Sequence, residues 1–481
     1  MRIPKKYYAV VAVLLLGNTL LWAQPLATDT QVVVTKSEVV ATPERQSSPF
    51  VVGNIYIEGN KRTKPYIIAR ELPFKTGDSI YLPELVAGFE VSRRQLFNTG
   101  LFNEVVVALK SFRGYEVDII IQVKERWYFF PIPYVKPVDR NLSEWSRQGY
   151  GVNRLNYGIK FTQYNFTGRN DKLKFWLLTG YTKKFEFQYD QPYADKTLRH
   201  GYGIGFSYSF NREINYATVK NQQMFTDSLT DGIKRWEGKI EYTYRPGLRT
   251  FHAVRLSVVR EQVDSQLLDL NPKYYTAHSS AVTYPELAYN IKYVNVDYVH
   301  FPLTGWVVEA GIVKRGINKD MNMWQINAKI NKGWQVAKKT YYALQANGVL
   351  RVPFDQPYIN HRMFGYGDMF LRGLERYVID GVGGILTRSS LRRELVRFNI
   401  RTHLKSKSHD RIPFRIYART FGDMGYAYNK NFTNNSLTNR MLYTGGFGLD
   451  IVTFYDFILR FDYSFNQLGQ NGLFLHVKND F

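Results

Sequence analysis

From residue 127 to the C-terminus the chain alternates. In Gly201-Tyr202-Gly203-Ile204-Gly205-Phe206-Ser207-Tyr208-Ser209-Phe210 every bulky side chain falls on one face, and Gly or Ser falls on the other. Lys184 to Asp190 sets charges opposite aromatics, and Phe457 to Phe465 sets Arg460, Asp462 and Ser464 opposite Leu459, Phe461 and Tyr463. Period two is the signature of strands with one apolar face. Residues 51–126 read differently. Val51, Val52, Ile55 and Ile57 form a strand that stops at Gly59-Asn60. Lys64 to Glu71 is a short helical stretch, with Pro65 suited to a first turn. Leu82, Leu85, Phe89 and Leu96 are spaced 3, 4 and 7, which predicts a second helix opened by Pro83 and closed near Asn98-Thr99-Gly100. Val105–Val107 and Val117–Ile121 then read as two strands joined at Arg113-Gly114. The predicted order is β-α-α-β-β.

The alternating region fits a soluble sandwich or a membrane barrel, according to what its apolar face meets. Runs near ten residues suit a tilted strand crossing a bilayer. Tyr and Trp gather near run ends, as in interfacial girdles, and turn signals such as Thr167-Gly168-Arg169-Asn170 and Asn466 to Gly472 recur. At roughly 22 residues per strand with its turn, the 355 residues after 126 give about 16 strands. The fold class expected is mostly β: a C-terminal transmembrane antiparallel barrel over 127–481, preceded by one small α/β domain over 51–126.

The N-terminus changes what the charge means. Arg2, Lys5 and Lys6 precede an apolar core from Tyr7 to Leu16, and Ala23 offers a cleavage point, so residues 1–23 read as a secretory signal. Residues 24–50, rich in Thr, Ser, Val and Pro, read as a tether. The chain carries 64 Lys and Arg against 41 Asp and Glu, a net +23. Export removes nucleic acid as the natural partner. Residues 1–126 hold 16 basic and 12 acidic side chains, which leaves +19 on the predicted barrel. Basic lumen walls explain that excess, and so does contact with anionic lipid at the rim. Zero cysteine excludes zinc fingers, iron–sulfur clusters, thiol enzymes and disulfide frameworks. No Gly-x-Ser-x-Gly elbow, Walker loop or His-Glu-x-x-His helix occurs, and the eight His show no metal-ligand spacing. The expectation is no enzyme, no cofactor and no metal.

Ordered motifs narrow the reading. Ile57-x-Gly59-Asn60-x-x-Thr63, Gly77-Asp78, Leu96-Phe97-Asn98-Thr99-Gly100-Leu101-Phe102 and Val123-x-Glu125-Arg126 resemble a polypeptide-transport-associated (POTRA) domain. In the last third, Gly365-Tyr366-Gly367-Asp368-Met369-Phe370-Leu371-Arg372-Gly373-Leu374 is followed by Glu394 in its Leu-Arg-Arg-Glu-Leu run. Phe421-Gly422-Asp423-Met424-Gly425 and Gly446-Phe447-Gly448-Leu449-Asp450 come next, then the terminal Phe481. This order resembles the barrel of the outer-membrane assembly and translocation family that includes BamA and TamA. Asn165–Asn170 and Phe301-Pro302-Leu303-Thr304-Gly305 fit the same pattern.

The resemblance implies an extracellular loop folded back into the lumen, with Arg372 and Gly373 at its tip and Glu394 and Asp423 as acidic partners on the wall. It marks Gly59, Asn60, Gly77, Asp78, Gly100 and Phe102 as the domain's motif residues. It makes Leu475, Val477 and Phe481 the in-phase apolar positions of a C-terminal strand that closes the barrel. Two positions depart from the pattern: Leu374 replaces an aromatic residue, and Asn479 is polar where an apolar one is expected. The implied location is the outer membrane with the POTRA domain in the periplasm. Implied partners are unfolded outer-membrane protein clients, outer-membrane lipids and periplasmic or lipoprotein accessory subunits, with no nucleic acid. The implied function is protein assembly, insertion or translocation by an accessory, single-POTRA member. A pore or lipid-handling barrel for anionic cargo stays open as the alternative.

Overall fold

The computed structural model describes residues 48–137, 145, 149, 151–152, 155–226, 232–276, 279–401, 411–430, 435–453 and 456–477. The signal peptide, most of the tether, Asn479 and Phe481 lie outside the described residues. The small domain contains β1 (Phe50–Glu58), α1 (Pro65–Ala69), β2 (Ser79–Ile80), α2 (Leu82–Asn98), β3 (Phe102–Arg113) and β4 (Glu116–Glu125). Its sheet runs β2-β1-β4-β3, with β1 parallel to β4 and the other pairs antiparallel. The predicted order is present, with β2 added between the helices. Gly77, at φ +91°, makes that addition: its N–H donates to Val52 O at 2.8 Å, and Val52 N–H donates to Asp78 O at 2.9 Å. Leu85 and Leu96 of α2 are buried in one core with Ile67, Ile68, Phe102, Ile119 and Ile121. Burial of such side chains stabilises the domain by about 1.5–3 kcal/mol each. β3 is an outer strand, paired with β4 alone among the described residues.

The rest of the chain rolls up as sixteen antiparallel strands. The first five are β5 (Phe129–Pro137), β6 (Leu155–Tyr164), β7 (Lys172–Gly180), β8 (Thr182–Gln191) and β9 (His200–Asn211). A hairpin of β10 (Asn215–Val219) and β11 (Gln222–Phe225) interrupts them. Then come β12 (Ile233–Tyr244), β13 (Thr250–Val263), β14 (Ala281–Val296), β15 (Gly305–Arg315), β16 (Met323–Ala337) and β17 (Thr340–Val352). The short helix α3 (Gln266–Leu270) lies between β13 and β14. A second hairpin, β18 (Arg362–Phe364) with β19 (Ile379–Asp380), precedes β20 (Gly383–Arg401), β21 (Arg411–Tyr428), β22 (Met441–Val452), β23 (Ile458–Asn466) and β24 (Asn471–His476). Apart from the two hairpins, each strand pairs with the next in the chain, from β5 to β24. Among the described residues no ladder joins β5 to β24.

The alternation does what the sequence predicts. Tyr202, Ile204 and Phe206 are exposed on the outside of β9, while Gly203 and Gly205 face inward and are buried. A Cβ at Gly205 would stand 2.5 Å from Lys239 Cε across the lumen face. Trp306, Trp334 and Lys332 gather on the outer face of β15 and β16, with Lys332 Nζ 4.1 Å from the Trp306 ring centre. Aromatic and basic groups at such a rim sit well at a lipid headgroup boundary. At the end away from the small domain, Tyr274, Tyr275, Leu267, Val282 and Tyr358 make a separate apolar core over the strands.

Candidate functional site

The connection from β17 to β20 carries the sequence-predicted tip, and its conformation brings Arg372 to the wall. Arg372 is buried, and its Nε donates to Asp423 Oδ2 at 3.0 Å and Oδ1 at 3.2 Å. A second guanidinium nitrogen, Nη2, completes the fork on Asp423 Oδ1. Arg372 N–H also donates to Asp423 Oδ2 at 2.9 Å, and Nη1 donates to Ser390 Oγ at 2.9 Å. The Phe421 ring lies under the guanidinium, 4.2 Å from Cζ. A forked arginine–carboxylate pair over an aromatic face is both strong and geometrically selective. Gly373 permits it. Its φ is +96°, and a Cβ there would come within 3.0 Å of Ser464 Cβ and 3.2 Å of Phe465 O. Its carbonyl accepts from Asn466 Nδ2 at 2.8 Å, so the tip is tied to β21 and to the end of β23. Leu374, the departure from the motif, is buried in an apolar cluster with Met363, Phe364, Leu371 and Leu442.

The structure does not bring Glu394 to this tip. Its carboxylate accepts from Arg397 Nη2 at 2.7 Å and from Tyr417 OH at 3.2 Å. Register explains the separation. On β20 the residue opposite Asp423 is Arg388, and Glu394 lies six positions further along, opposite Tyr417. The site between them holds a network that the motif does not mark. Asp450 lies 3.2 Å from Arg392 Nε, 3.2 Å from Arg419 Nε and 2.9 Å from Arg460 Nε, and Asp462 pairs with Arg419. All five are buried. The signal available was the polar face of β23, where Arg460 and Asp462 alternate with apolar residues. One sequence does not show which strands lie opposite.

A second constellation ties the small domain to the barrel. Arg245, in the turn between β12 and β13, donates Nη2 to Glu71 Oε2 at 2.8 Å, and its Nη1 reaches both Glu71 and the Tyr193 hydroxyl. Burial alone would lower the Arg245 pKa, but the Glu71 carboxylate beside it holds it above the usual range. Burial, reinforced by Glu71, raises the Tyr193 phenol. Arg70 Nε donates to Leu198 O at 2.6 Å. Asn98 brackets the β14–β15 turn, donating to Val296 O at 3.2 Å and accepting from Val299 N–H at 3.0 Å. Arg126 pairs with Asp456 at 2.7 Å.

Of the small domain's motif residues, Gly59 and Asn60 shape the loop beside this junction, and the others hold the domain itself together. Gly59, at φ +87°, passes so close to Val123 O that a Cβ would stand 2.0 Å away. Asn60 Nδ2 then donates to Thr63 O at 2.9 Å. Thr63 N–H donates to Glu125 at 2.7 Å, and Thr63 Oγ1 meets both Asn165 and the Tyr128 hydroxyl. Asp78 accepts from Lys75 N–H at 2.7 Å, Gly100 closes α2 at φ +73°, and Phe102 is fully buried. In the last strand Leu475 is exposed on the outer face, and Val477 follows the final residue of β24.

The POTRA family model, described as surface antigen variable number repeat, matches residues 50–126. The outer membrane protein assembly factor BamA of Neorickettsia risticii (strain Illinois) is 25% identical over 287 residues, covering 58% of this chain and 34% of that protein. The chain therefore spans about a third of the length of that relative. The crystal structure of BamA from Haemophilus ducreyi lacking POTRA domains 1–3 superposes with a TM-score of 0.50 at 16% identity, over 89% of this chain and 83% of that one. The chain thus joins a POTRA domain to a barrel with the fold of that BamA structure. CdiB from Acinetobacter baumannii aligns with a TM-score of 0.45 at 12% identity, over 89% and 73% of the two chains. The barrel lies in the outer membrane with its POTRA domain on the periplasmic side. The turns that hold Arg245, Asn165 and Val299 are accordingly periplasmic, and the Arg372 loop enters the lumen from outside.

Proposed function

We propose that this chain assists the insertion or translocation of other polypeptides at the outer membrane, without enzymatic chemistry, as an accessory single-POTRA member of its family. The observation that carries the proposal is a free strand edge at each of two stages. β3 presents one edge in the periplasm, and the barrel sheet ends in two strands that share no ladder among the described residues. Backbone groups on such edges bind extended polypeptide largely irrespective of its sequence. Clients would be unfolded outer-membrane proteins, with lipids and accessory subunits as further partners. The tip residues Arg372, Gly373 and Asp423 would hold the barrel in its working shape, with Glu394 a neighbour outside that clamp. Depletion of the protein is the test. Loss of particular outer-membrane proteins supports the proposal, and intact proteins with altered lipid asymmetry would instead favour a lipid-handling role. A pore for anionic cargo draws less support, because a docked loop and buried ion pairs occupy the lumen.

A further inference from the structure

Of the two edges that border the barrel seam, one is chemically incomplete. Tyr164 N–H donates to Tyr128 O at 2.8 Å, and the register runs unbroken from Phe129↔Gln163 to Pro137↔Leu155. Antiparallel pairing alternates. Even-numbered residues of β5 therefore turn their backbone groups toward β6, and odd-numbered ones turn toward the open side. The open-side residues are Phe129, Pro131, Pro133, Val135 and Pro137. Proline has no N–H, so only two of these five positions can donate.

The last strand has the opposite character. Asn466 N–H donates to Gln470 O, and the register continues to Arg460↔His476. Asn471, Leu473, Leu475 and Val477 consequently face the open side, and each has both a donor and an acceptor. In the other fourteen barrel strands the two prolines, Pro285 and Pro413, each lie in a ladder on one flank and past the end of the ladder on the other. Pro285 lies one residue beyond the last β14–β15 pair, and Pro413 lies two beyond the last β21–β22 pair. Proline belongs on strand edges for this reason.

We propose that β5 is a blocked edge, so that the seam is one-sided and β24 is the edge that takes an added strand. The added partner is an extended polypeptide with alternating apolar side chains. Leu473, Leu475 and Val477 expose 67%, 41% and 52% of their surface on the lipid side, and a neighbouring strand must match that face. β5 can accept bonds along its length but can return only two, so neither self-closure nor strand addition there forms a complete ladder. The partner assignment rests on the function proposed above; the blocked edge does not.

The test uses full-length protein in liposomes. Pro131→Thr with Pro133→Thr restores two donors, and the temperature at which the folded gel band converts to the unfolded one should rise. Pro137→Thr should produce a smaller rise and serves if the double variant fails to fold. A photo-crosslinking residue at Leu473 should capture a synthetic ten-residue alternating peptide several-fold better than one at Val135. Unchanged conversion temperatures in folded variants would overturn the blocked edge. Preferential capture at Val135 would overturn the assignment to β24. A raised temperature with no capture at either edge would leave the blocked edge standing and remove the functional reading beneath the partner.

Discussion

Two buried arginines clamp this molecule, and they differ in how they are held. Arg372 closes a loop onto the wall of the barrel that carries it, through one carboxylate, an aromatic face and a glycine with positive φ. Arg245 closes one domain onto another, through Glu71, the Tyr193 hydroxyl and the carbonyl of Leu248. Removing one partner of a buried pair costs about 3–5 kcal/mol, because the other charge remains in a poorly hydrated place. The lesson lies in what each clamp keeps when broken. Among the described residues Asp423 would keep the Arg372 backbone donor and lose the whole guanidinium, whereas Arg245 would keep a carbonyl and a hydroxyl.

The largest expected effect is therefore Arg372→Ala. It should lower barrel stability by about 4–5 kcal/mol, read as folded protein that converts on gels at a much lower temperature. Glu71→Ala should cost about 3 kcal/mol and act elsewhere. Trypsin should cut faster after Arg126 while the gel shift of the barrel stays in place, and a barrel that loosens as well would erase the contrast between the clamps. Gly373→Ala should cost about 1–3 kcal/mol, from a left-handed backbone plus the approach to Ser464. An unchanged conversion temperature would mean that the tip adapts. Glu394→Gln should cost less than about 1 kcal/mol, since its basic partner Arg397 is 57% exposed. A loss as large as that of Arg372→Ala would restore Glu394 to the clamp from which the register removes it.

The same contrast shows how much could be read in advance. The first clamp was legible, because Arg-Gly and the Asp423 run stand in a fixed order and their chemistry is complementary. Glu394 misled, since a motif reports order along the chain while a ladder decides which residues oppose each other. Arg245 was invisible. Nothing about an Arg-Pro-Gly turn announces a carboxylate 174 positions earlier. The fold was more legible than the site, because period two in 127–481 and the 3, 4 and 7 spacing in α2 are local signals. The strand β2 was missed, as two residues are too few to show a period. The prolines of β5 were in view from the start, but their meaning needed a phase, and the phase came from the Tyr128–Tyr164 hydrogen bond.

One detail of the junction reaches into biogenesis. Tyr193 belongs to the core of the POTRA domain although it comes from a barrel turn, and Leu198 packs against the same cluster. The domain emerges first in synthesis yet lacks two of its apolar side chains until strands β8 and β9 are in place. A half-built barrel would accordingly leave that core open where Tyr193 and Leu198 belong, and limited proteolysis of the domain would report it.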